Sequence, residues 1–106
     1  MDNAEMPSQI SGFILEEQFE LTLADISRAC AVHAEYIIEL VDEGVLAPSG
    51  REPVLWRFSG VHTHQVTVAL RLQRDFGINL AGVALVLQLL DEVKELRARI
   101  RLVDSE

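Results

Sequence analysis

Basic residues are scarce in this chain, and one long stretch has none: no lysine or arginine stands between Arg28 and Arg51. The whole sequence holds 9 basic against 17 acidic residues, a formal net charge of -8. That balance disfavours nucleic acid and anionic membranes and favours basic partners. A single cysteine, Cys30, excludes an internal disulfide and a cysteine-based zinc site. No apolar run is long enough to span a bilayer: the longest, Leu80 to Leu90, is interrupted by Gln88. The opening Met1-Asp2-Asn3-Ala4-Glu5 lacks the basic-then-apolar order of a secretory leader. These absences predict a soluble, cytoplasmic protein.

What is present is apolar. Hydrophobic residues make up 49% of 106 positions and mean hydropathy is +0.19, high for a small chain with much surface per volume. Part of that apolar surface is expected to be covered by a second copy or another protein.

Residues 1–18 read as a polar, partly disordered N-terminal extension, with a short apolar run from Ile10 to Leu15 as a candidate strand. Thr22 can cap a helix, and Asp25 three residues on completes a variant of the capping box. Leu23, Ile26, Ala29 and Cys30 form its apolar stripe. A tight turn at Ala31-Val32-His33 leads into a second helix to about Glu43, with Ile37, Leu40 and Val41 inward and Gly44 as a left-handed terminator. Two short helices joined by such a turn are the helix-turn-helix pattern. Val54 to Phe58 alternates, with Val54, Trp56 and Phe58 on one side, and predicts a small β wing. Ser59 can cap a third helix to about Phe76, with Val66, Ala69, Leu70 and Leu72 as its apolar positions. Gly77 closes it, and Asn79 can cap a last helix to about Val103.

The last helix is the most periodic part of the chain. Val86, Leu89, Val93, Leu96, Ile100 and Val103 recur at spacings of three and four, a heptad seam. Glu92 can meet Arg97 of a second copy in parallel pairing, or Arg99 in antiparallel pairing. These six residues are the predicted homodimer interface. Packing of the stripe on its own domain would account for Val86 and Leu89 but not for Leu96 to Val103.

The second helix of a helix-turn-helix is where a DNA reader carries its base-contacting residues. Here it carries Glu35, Glu39, Asp42 and Glu43, which share one face at spacings i, i+4, i+7 and i+8. Such a face repels phosphate, because non-specific DNA affinity comes from lysine and arginine displacing counterions. Ile38 and Tyr36 edge it as candidate apolar anchors. Alternatively the stripe is a solvated helix face. Asp91 and Glu92 form a second acidic pair that serves the dimer seam equally well.

The order of these elements resembles the MerR-type regulators, and most closely their divergent chaperone-modulator branch (CbpM type). The resemblance rests on Leu40-Val41-Asp42-Glu43-Gly44-Val45-Leu46-Ala47-Pro48, on Trp56-Arg57-Phe58, on Leu70 through Ala84, and on Leu89-Leu90-Asp91-Glu92. It runs from roughly Phe19 to the C-terminus and implies a mainly α, MerR-like winged helix-turn-helix with a long C-terminal dimerisation helix. Residues 19–78 would form the helix-turn-helix with wing and third helix, and 79–106 the pairing helix. It further implies a non-enzymatic adaptor that binds the J-domain of a DnaJ-like, curved-DNA-binding co-chaperone and restrains its co-chaperone activity and DNA binding. A J-domain engages its chaperone ATPase through a basic helix, which an acidic face would suit. Glu35, Tyr36, Ile38, Glu39, Asp42 and Glu43 are then the partner-binding set. A MerR-type DNA-binding regulator is the alternative.

Nothing in the sequence points to catalysis. His62 and His64 are two apart, so on a helix they face different sides and do not share a metal. His33 reads as a capping or packing residue at a turn, and Cys30 as a small core hydrophobe. No nucleophile-base pair, phosphate loop or metal-ligand spacing occurs, so neither metal nor other cofactor is expected. Arg51, Arg57, Arg71 and Arg74 are the candidate phosphate contacts, with pairing to nearby acids the simpler role for Arg71 and Arg74.

Overall fold

The computed structural model describes residues 20–104, so the expected strand at Ile10 to Leu15 lies outside the described residues. Among the described residues, four α-helices follow in order: α1 (Leu23–Cys30), α2 (Ala34–Asp42), α3 (Gly60–Phe76) and α4 (Leu80–Asp104). A single 3-10 turn, Pro53–Leu55, lies between α2 and α3.

Local chemistry sets the boundaries. Thr22 Oγ1 accepts from the Asp25 backbone at 3.1 Å, and an Asp25 carboxylate oxygen accepts from the Thr22 N–H at 3.0 Å, a reciprocal capping box. Those bonds, first the one from the Thr22 backbone, hold the Asp25 carboxyl below its ordinary range. Ala31 ends α1 at φ 58, in the left-handed region. The turn after it is latched by Ser27, whose hydroxyl donates to the Val32 carbonyl at 2.6 Å while its own carbonyl accepts from the Val32 N–H at 3.0 Å. Gly44 (φ +84) stops α2 with the paired bonds Gly44 N to Val41 O (3.0 Å) and Val45 N to Leu40 O (2.8 Å), a Schellman motif. Asn79 caps α4 by accepting from the Gly82 N–H at 2.8 Å.

Buried Ile26, Ile37, Leu40, Leu46, Trp56, Phe58, Val66, Ala69 and Val83 make one core. The α1 stripe is narrower than expected: Ile26 is fully buried, Leu23 and Cys30 are half-buried, and Ala29 is exposed. Helix α1 packs on α2 and α3, and α3 in turn carries α4, whose axis turns by 120° from that of α3.

The expected β wing is replaced by something looser. Among the described residues there is no strand, only isolated antiparallel bridges Leu21–Phe58 and Ser49–Arg57. Trp56 and Phe58 are buried as the alternation required, meeting edge to face at 6.1 Å. Val54, expected on their side, is 76% exposed. Pro53 explains the change: it lacks an N–H for a ladder and its fixed φ starts the 3-10 turn instead.

Candidate partner-binding face

Helix α2 turns its apolar side, Ile37 and Leu40, into the core and sets its acidic side outward. At about 100° per residue, Glu35, Glu39, Asp42 and Glu43 fall on one arc, and all four are exposed. Glu43 is the C-cap residue and continues the arc in helical geometry. Among the described residues none of the four enters an ion pair. The pairs found are Arg28–Asp25 (3.0 Å), Arg74–Asp75 (3.0 Å) and Arg99–Glu95 (3.7 Å).

Position along the helix adds to this. The last turn of α2 has no basic residue and carries Asp42, with Glu43 as its cap. Carboxylates at that end face the negative pole of the helix dipole, at a cost of about 0.3–1 kcal/mol each. Folding alone does not favour this arrangement.

The two edge residues differ. Ile38 is half-buried against the rim of the core. Tyr36 is committed to the fold: its hydroxyl donates to Gln73 Oε1 at 2.7 Å, and Gln73 Nε2 donates to the Ile78 carbonyl at 3.1 Å. This relay ties α2 to the α3–α4 corner, and burial, then the Glu39 charge, raise the Tyr36 pKa. Its partner Gln73 had no signal in the sequence, since residue 36 is remote from residue 73.

The second predicted surface is the outer side of α4. Leu89 (52%), Leu96 (54%), Ile100 (58%) and Val103 (71%) are exposed, Val93 also, and Val86 is half-buried. Val83, Leu87 and Ala84, which pack on the core, lie on the opposite side of the helix. Leu89 therefore does not pack on its own domain as the simpler alternative required.

The remaining candidates take structural roles. His62 Nδ1 accepts from the Ser59 N–H at 3.0 Å at the start of α3, and its ring stands edge-on to Phe58 at 5.6 Å; burial lowers its pKa. His33 precedes α2 without a side-chain cap bond. Cys30 is half-buried, which raises its thiol pKa. Arg57 donates to the Trp56 carbonyl at 2.7 Å, and Arg74 is paired with Asp75. Among the described residues, no group of three or more His, Cys, Asp or Glu could hold a metal ion, and no single helix is long and apolar enough to cross a membrane.

Comparison with known proteins agrees with this architecture. Residues 21–104 match the family described as MerR HTH family regulatory protein. The chain is 34% identical over 95 residues to a chaperone modulatory protein CbpM of Coxiella burnetii, covering 90% of each chain. It is 34% identical over 79 residues to a protein of the same name from Pseudomonas entomophila, covering 74% of this chain and 78% of that one. A Pseudomonas putida counterpart is 35% identical over 79 residues, with the same coverage. The chain therefore belongs to the MerR helix-turn-helix family and, within it, to the CbpM chaperone-modulatory proteins.

Proposed function

We propose that this protein is a non-enzymatic, cytoplasmic adaptor that binds the J-domain of a DnaJ-like, curved-DNA-binding co-chaperone and restrains both its co-chaperone activity and its DNA binding. The observation that carries this reading is the face of Glu35, Glu39, Asp42 and Glu43: exposed, free of ion pairs among the described residues, and set where a DNA reader of this architecture needs positive charge. The name shared by its relatives, chaperone modulatory protein, supports the partner class. Opposite charge would steer a basic J-domain helix onto this face. The outward heptad seam of α4 supports a homodimer.

The test is calorimetric titration of the purified chain with the J-domain of a DnaJ-like co-chaperone. Glu39→Lys/Asp42→Lys is expected to weaken binding by about tenfold or more and to flatten its salt dependence. Unchanged affinity would remove this face from the interface. The family match alone favours the second reading, a DNA-binding regulator. It requires a gel shift with the gene's own promoter at micromolar protein and moderate salt, whereas the adaptor reading expects none.

A further inference from the structure

Val54 is the most exposed large hydrophobic residue among the described residues, at 76%, yet the chain around it is rigidly built. Pro53 opens the 3-10 turn, the Leu55 N–H donates to the Glu52 carbonyl at 2.8 Å, and the Trp56 N–H donates to the Pro53 carbonyl at 3.3 Å. Trp56 then drops into the core and anchors the end of the turn. On the other side Gly50 (φ +103) runs so close to the Leu55 carbonyl that a Cβ there would collide with it. A side chain held out in water by a fixed turn loses little freedom on being covered.

Val54 also lines a shallow, mostly apolar groove of about 450 Å³, together with Pro53, Thr22, Leu23, Ala24 and Ala34. Ala34 opens α2, and Ile38 follows it one turn later on the same flank. The groove is thus continuous with the edge of the acidic face, on the opposite side from Tyr36.

We infer that this groove is the apolar half of the partner site, and that Val54 with Pro53 receives a hydrophobic side chain from the same basic helix whose charges meet Glu35, Glu39 and Asp42. The inference rests on the J-domain reading and names the anchor within it. Charge complementarity selects the occupant: an apolar ridge beside a base-free acidic stripe fits an amphipathic helix carrying Lys or Arg on one side and an aliphatic residue at its edge. The acidic stripe supplies steering and salt dependence, and the groove supplies a contact that salt does not screen.

The experiment compares Val54→Ser and Val54→Leu with the Glu39→Lys/Asp42→Lys variant, each titrated with the J-domain of a DnaJ-like co-chaperone at low and high salt. Val54→Ser is expected to weaken binding by about tenfold, from the lost burial of one aliphatic side chain, while keeping the wild-type salt slope. Val54→Leu is expected to stay within about threefold of wild type. Circular dichroism should be unaltered, since the side chain is exposed. Val54→Ser within twofold of wild type, with the charge variant defective, would overturn the groove and leave the acidic face standing. If the charge variant also binds normally, the whole face is lost and this inference with it. A changed oligomeric mass for Val54→Ser in light scattering would assign the groove to a second copy and likewise overturn it.

Discussion

His62 shows how a residue that invites a functional reading can belong to the scaffold. Its Nδ1 accepts the Ser59 N–H, so the ring at that bond is neutral with its proton on the other nitrogen. Protonation would place an N–H against an N–H, at the positive end of α3, beside the edge-on ring of Phe58. Burial lowers its pKa below the ordinary histidine range. A histidine with a depressed folded pKa contributes stability that is fully present above the unfolded value and is lost as pH falls from there through the folded one. Thermal melts should therefore show falling stability from about pH 6.5 downward, before carboxylates begin to protonate. His62→Gln should flatten that slope, and a slope unchanged in this variant would reject the assignment. The sequence placed Ser59 correctly as the cap, but it could not show that the third residue of the helix completes the box with an imidazole. The Thr22–Asp25 box was legible because both residues are common caps. The Tyr36–Gln73 bond was not, because no local rule links positions that only tertiary packing brings together.

Among the elements, α2 carries the conflict between stability and its proposed use. Its apolar side follows ordinary helix patterning, while its C-terminal turn holds carboxylates where the dipole prefers cations. Asp42→Lys should consequently stabilise the fold by about 0.5 kcal/mol while weakening J-domain binding, opposite shifts read by a melt and a titration on one sample. A variant that loses both would indicate that Asp42 serves the fold instead. The elements were legible to differing degrees, for physical reasons. Helices were readable because caps and three-and-four periodicity are local, and Gly44, Gly77 and Asn79 end or begin them where the sequence indicated. The expected wing gives way to a 3-10 turn at Val54 and Leu55, since period-two alternation cannot distinguish a strand from a 3-10 turn that leads into one extended stretch. The cue against a strand was Pro53 with Gly50 before it. For the same reason Val54, which alternation places on the buried side, is delivered to solvent by the turn.

At the scale of the whole molecule, the two proposed surfaces lie on α2 and α4, which are joined mainly through α1 and α3, and they share no residue. The acidic face and groove draw on α2, the start of α1 and the 3-10 turn. Most of the seam lies on the side of α4 turned away from α3, with Val93 at the rim of a cleft between the two helices. Dimerisation through Leu89, Val93, Leu96 and Ile100 would thus leave both partner faces open, and the second half of α4, exposed apart from half-buried Ala98, would be the part most dependent on a second copy. A seam of under three heptads is marginal without support from the domain, so charge placed at its centre should suffice to break it. Leu96→Glu/Ile100→Glu is expected to halve the mass measured by light scattering and to leave the α1–α3 core folded. The same variant should still bind one J-domain per protomer, with affinity within about threefold of wild type, since surfaces without shared contacts are close to additive. Loss of J-domain binding on dissociation would mean instead that the site is composed from both copies.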